Sequence, residues 1–135
     1  MKKMISVLLF ISMALACIVP LSASDIKPYY EGVTSGAAAL SISNFGIATC
    51  TTAFDLRYAL VEADIEMQLL RFEASGWEEV KTWEEHYGDS EKRSLVLNKL
   101  YAVADGIYKV YVIADIETTA GSDHLEMGSN IEEYP

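Results

Sequence analysis

The residues able to do covalent chemistry are few. The chain holds two cysteines, Cys17 and Cys50, and two histidines, His86 and His124. Nucleophilic catalysis needs a nucleophile, a base and an orienting group within reach of one another. Cys50 falls between Ala48 and Thr52 in an alternating stretch, the setting of a buried thiol, while both histidines fall near turn signals. A Cys–His pair is therefore not expected, and no Gly-Xaa-Ser-Xaa-Gly elbow is present. Two His and one Cys far apart in sequence do not give a zinc spacing. The acidic pairs Glu78-Glu79, Glu84-Glu85 and Glu132-Glu133 lack the Gly-turned loop of a calcium hand, so a solvated acidic face is expected from them. A weak calcium site between loops is the alternative. Glycosidic cleavage by paired carboxylates needs a deep cleft, for which the chain has little room. No catalytic residue, metal ligand or cofactor site is assigned.

Aromatic side chains offer a different chemistry, stacking on sugar rings. Trp77, Trp83, Tyr87, Tyr101 and Tyr111 are the candidates. For the two Trp the core is the better expectation, because a small β domain needs large apolar bodies inside. Tyr111 alternates to the outer side and is the expected exposed aromatic.

These residues lie on segments with a period of two, the mark of half-buried strands. Leu40 and Ile42 share one side of the first segment; Ala48, Cys50, Thr52 and Phe54 share one side of the second. The stretch 55–62, DLRYALVE, reads as a connection or a short helical turn. Ile65, Met67 and Leu69 alternate with Glu66, Gln68 and Leu70 in the clearest pattern of the chain. GWEEVKTWEEHY follows the Ser75-Gly76 turn as a hairpin arm, and EKRSLVLNKLYAV carries Leu95 and Leu97 on one side. After Asp105-Gly106, the run Tyr108, Val110, Val112, Ala114 and Ile116 forms one face, and HLEMGSNIEEY is the last strand. Seven short strands with regular turn signals and no long helix predict an all-β sandwich over 37–135.

The N-terminus adds a compartment. Lys2 and Lys3, the apolar run 4–19, Pro20 and the small residues around Ala23 have the order of a secretory signal peptide, with cleavage expected after Ala23. Ala14-Leu15-Ala16-Cys17 offers a lipoprotein site as the alternative, with lipidation at Cys17. Residues 24–36 read as a flexible leader. Removal of 1–23 takes two Lys and no acid. The remaining 112 residues then carry 8 basic against 20 acidic side chains, a formal charge of −12. That charge argues against nucleic acid and anionic membrane surfaces as partners. A hydrophobic content of 51% is too high for a disordered chain.

Two resemblances follow. Asp105-Gly106-Ile107-Tyr108-Lys109-Val110 resembles the entry to strand F of the immunoglobulin fold, where a Tyr two residues before an inward position ties its hydroxyl to the backbone upstream. The cysteine pair of antibody domains is absent, so the likeness is to the fibronectin-like end of that architecture. The chain also resembles a family of small secreted immunoglobulin-like proteins of unassigned function from clostridia-like Gram-positive bacteria. The matching residues are Gly46-Ile47-Ala48, Leu69, Trp77-Glu78-Glu79-Val80-Lys81-Thr82-Trp83 and Gly106-Ile107-Tyr108-Lys109-Val110. That likeness implies a secreted or cell-surface location and brings no catalytic residues. The expected function is a non-enzymatic binding or adhesion module with an extracellular or cell-wall partner. Alternatives are a carbohydrate- or wall-binding module using exposed aromatics, and a small secreted hydrolase or hydrolase inhibitor.

Overall fold

The computed structural model describes residues 30–135. The cleavage site after Ala23 and the lipidation candidate Cys17 lie outside the described residues. Eight strands follow in order: β1 (Val33–Ile42), β2 (Ile47–Leu56), β3 (Leu60–Glu73), β4 (Gly76–Tyr87), β5 (Ser94–Ala102), β6 (Gly106–Thr118), β7 (Gly121–Gly128) and β8 (Glu132–Tyr134). They form two antiparallel sheets, β1-β2-β5 and β4-β3-β6-β7, with β8 also on β6. The architecture is an all-β sandwich. No described helix is long and apolar enough to cross a membrane.

The alternating residues fill the space between the sheets. Ala48, Cys50 and Phe54 of β2 meet Ile65, Met67 and Leu69 of β3 and Val110, Val112 and Ala114 of β6, all buried. Each large aliphatic side chain buried there contributes about 1.5–3 kcal/mol. Thr52 is the polar exception on the inner face of β2. Its hydroxyl donates to Met67 Sδ at 3.1 Å, which ties the two sheets through the core.

Cys50 is fully buried, and burial pushes its thiol up to about 11. The thiolate is the reactive species. Native protein is therefore expected to leave Cys50 unmodified by a thiol reagent near neutral pH, and unfolding in guanidinium should expose it to complete modification. Peptide mapping after each treatment checks this; rapid native labelling of Cys50 would contradict the packing.

Three expectations are corrected. Among the described residues the strands number eight, because the last predicted strand breaks at Ser129–Ile131 into β7 and β8. Ser129 N–H donates to Val110 O and Ser129 Oγ accepts from Val110 N–H, so the chain stays on the edge of β6 while leaving strand geometry. Of the two readings of 55–62, the connection holds, at 57–59 between β2 and β3, and the helical turn does not. Leu56 and Leu60 mimic helical spacing, but they end β2 and begin β3, and both are buried. Finally, β1 begins at Val33, so four residues expected in the leader belong to the sheet.

The two open sides of the sandwich are closed differently. On one side, β1 is tied to β7 and the turn after it. Asp123 accepts from the backbone N–H groups of Glu31, Gly32 and Val33, and the Asn130 amide both donates to and accepts from the backbone of Leu40. On the other side, β4 and β5 meet only through side chains: Lys99 Nζ to Glu85 Oε2 at 2.9 Å, and Trp83 edge-on to Tyr101 at 6.2 Å.

Candidate functional site

The outer face of the five-stranded sheet gathers a dense set of titratable groups. Register places Asp64 opposite His86 on one side and Asp115 on the other, and Asp115 opposite His124. One row across β4, β3, β6 and β7 therefore reads His86, Asp64, Asp115, His124. The next row reads Glu84, Glu66, Ile113, Glu126, and on the far side Glu62 faces Glu117. Strand alternation puts these residues outward because their neighbours Ala63, Ile65, Ala114 and Ile116 are buried in the core.

Hydrogen bonds organise the row from both ends. His86 Nδ1 lies 2.7 Å from Asp64 Oδ1. His124 is held twice, by Asp115 Oδ1 on Nδ1 at 2.6 Å and by Glu126 Oε2 on Nε2 at 2.9 Å. Tyr111 Oη donates to Glu126 Oε1. The bond to Asp64 raises the His86 pKa above its ordinary value, and bonds to Glu126 and Asp115 raise that of His124. Glu126 is lowered by the hydroxyl of Tyr111 and then by His124. Tyr111 is pushed up to about 12 by burial and by the carboxylate it serves. Side chains in the row are 55–66% exposed, so they face solvent.

Like charges directly across a strand pair are unfavourable. Here Asp64–Asp115, Glu62–Glu117 and Glu66–Glu84 are all such pairs. Glu62, Asp64, Asp115, Glu117 and His124 line a shallow open depression at this end of the sheet. Among the described residues no group of three His, Cys, Asp or Glu side chains is arranged to hold a metal ion.

The residues singled out from sequence are dispersed. Cys50 is inside the core and both imidazoles are outside the opposite sheet, so the sheet itself separates thiol from base. The Glu-Glu pairs are split by the pleat: Glu84 faces outward with Glu66, whereas Glu85 reaches Lys99 in the other sheet. Trp83, Tyr87 and Tyr101 pack against the core. Trp77 lies edge-on to Phe72 at 5.2 Å, and Lys109 Nζ sits 4.5 Å over its ring, so one stacking face is taken. Tyr111 does face outward, but Phe45, at the tip of the β1–β2 hairpin, is the most exposed aromatic at 89% among the described residues. Asp64 and Asp115, the centre of the row, drew no notice in the sequence. Their outward parity was readable; their shared register was not.

No protein-family model matches the chain, and no curated protein matches it. Among solved structures, the solution structure of R. palustris CsgH is similar at a TM-score of 0.38 and 7% identity. That likeness covers 73% of this chain and 92% of the other.

Proposed function

We propose that the protein is a non-enzymatic, exported binding module that takes a cationic partner on the outer face of its five-stranded sheet. The observation that carries this reading is the row His86–Asp64–Asp115–His124 with carboxylates on both flanks. A surface built from directly opposed carboxylates costs stability, and a partner bearing Lys or Arg relieves that cost on binding. The order of charge, apolar run and small residues at the N-terminus supports export. An immunoglobulin-like assignment within the sandwich is supported by Tyr108, whose hydroxyl donates to Ala104 O at 2.7 Å in the manner of a tyrosine corner.

A Lys-rich peptide is the probe. Binding should be strongest at low salt and stronger at pH 8 than at pH 6, because the imidazoles carry less positive charge at the higher pH. Bonds to their carboxylate partners raise both imidazoles above the ordinary histidine value, so lowering the pH adds positive charge to the face and weakens binding. Asp64→Asn with Asp115→Asn removes two charges from the centre of the row and should weaken binding roughly fivefold or more. Calorimetric titration of both proteins at pH 6 and pH 8 reads both effects. Equal affinity for the two proteins, or tighter binding at pH 6, would exclude this face as the site.

A further inference from the structure

The opposite face of the molecule has the reverse character. Outward residues of the three-stranded sheet run in rows Ala37–Ala53–Val96, Ala39–Thr51–Asn98 and Ser41–Thr49–Leu100. None of these nine carries a charge, and the adjoining row Ser35–Asp55–Ser94 adds a single carboxylate, Asp55, to which Ser35 Oγ donates. The face ends at β5, which pairs with β2 alone. Its outer edge has no strand partner among the described residues, whereas the edge of β1 is occupied at several points by Asp123 and Asn130.

An open edge is a template for another strand. The sequence of β5, SLVLNKLYA, fits a second copy of itself. Its two large exposed apolar side chains, Val96 at 60% and Leu100 at 64%, stand two residues either side of Asn98. Antiparallel pairing of two copies centred on Asn98 sets Val96 of each against Leu100 of the other, and Asn98 against Asn98. The Asn98 Oδ1 accepts from Thr51 Oγ1 at 3.1 Å within its own chain, which leaves its NH₂ to donate across the pair. Lys99 is an inward charge of the kind that blunts an edge, but Glu85 neutralises it at 2.9 Å in the same chain. β4 borders β5 on the same open side and carries Glu78, Glu79 and Glu84, so the two copies repel beside the seam and added salt, which screens these charges, favours the pair.

We propose that the protein self-associates as a two-fold dimer through β5, joining the two three-stranded sheets into one six-stranded sheet with Asn98 at the axis. The pairing directs the two acidic faces to the outside of the dimer and does not rest on the partner assigned to them. A single nine-residue strand pair is a small interface, so the dimer dissociates on dilution.

Sedimentation velocity of the purified protein over a dilution series is expected to show a monomer–dimer equilibrium. Val96→Lys with Leu100→Lys should weaken it about tenfold or more, since both Val96–Leu100 cross-strand pairs of the dimer are lost. Both positions are exposed, and an unchanged thermal midpoint at high dilution separates this from misfolding. Register is read independently with Asn98→Cys in a Cys17→Ser background. Oxidised glutathione should join the introduced thiols of two chains as a covalent dimer, two thiols giving one disulfide, while Asn98→Cys in the double-Lys protein should stay monomeric. A wild-type monomer at high concentration, a dimer untouched by the two Lys, or a dimer that fails to cross-link would each overturn the assignment. So would a monomer whose β5 amides gain exchange protection only with a foreign extended peptide, since the edge would then serve a different chain.

Discussion

Asp123→Ala is expected to lower the stability of the domain by about 3–5 kcal/mol, the sum of two or three unsatisfied backbone donors. Asp123 leaves β7 on the apolar side and reaches the start of β1 in the other sheet. Its Oδ1 accepts from Glu31 N–H at 2.7 Å, and its Oδ2 from Gly32 at 2.9 Å and Val33 at 3.3 Å. Gly32 and Val33 are buried, so water cannot simply replace the carboxylate. The neighbourhood is tight as well. A Cβ on residue 32 would stand 2.1 Å from Thr118 Oγ1, so the backbone approaches because Gly allows it. Asp123→Asn keeps one acceptor but turns an NH₂ toward donors, and should cost roughly 1–3 kcal/mol. Asn130→Ala, at an exposed position, should cost less, about 0.5–1.5 kcal/mol. Guanidinium denaturation of the three variants tests the ranking, and hydrogen exchange at Gly32 and Val33 should speed up in Asp123→Ala before other strands respond. An Asp123→Ala protein within 1 kcal/mol of wild type, about the worth of one ordinary hydrogen bond, would mean that the two sheets are not held at this edge.

Asp123 also shows where reading a sequence stops. Its parity with Leu125 and Met127 was visible in the chain, so a polar group on the inner side could have been noted. Its partners lie some 90 residues earlier, in a segment whose Pro and Gly suggested a leader. Period-two alternation carried the core faithfully: Cys50, Met67, Val110 and Val112 are all buried where the pattern put them. Alternation fixes which side of a strand a residue takes, and says nothing about which residue of another strand stands beside it. The acidic row depends entirely on that second kind of information. Asp64 and Asp115 are 51 positions apart by number and meet only through the β3–β6 register. Leu56 and Leu60 show the opposite failure, a local spacing that suited a helix and was overruled by two strands that each needed a buried terminal residue.

Tyr108→Ala should be about as damaging as the loss of Asp123, for a different reason. The ring is 2% exposed at the start of β6, and the hydroxyl donates to Ala104 O at 2.7 Å across the turn that leads into the strand. Burial raises its pKa, so the phenol stays protonated and keeps that bond throughout the ordinary pH range. Removing the ring leaves a cavity that the surrounding strands cannot collapse to fill, at a cost of about 3–5 kcal/mol. Tyr108→Phe removes only the hydroxyl and should cost about 0.5–1.5 kcal/mol. Gly106 belongs to the same device, because a Cβ there would meet Arg71 Nε at 2.5 Å and the Tyr108 ring at 3.2 Å. The next two outward residues supply the control. Tyr111→Ala should change stability by no more than about 0.5–1 kcal/mol. Lys109→Ala should cost about 0.5–1 kcal/mol, since its ammonium lies over Trp77 and its stem is half-buried. Chemical denaturation of the four variants gives the order directly. A small domain holds only about 5–15 kcal/mol in total, so Tyr108→Ala takes a large share of it. A Tyr108→Ala protein as stable as Tyr111→Ala would show that the turn at 104–108 closes without its tyrosine, and the immunoglobulin-like reading would then lose the residue that distinguishes it from any other sandwich.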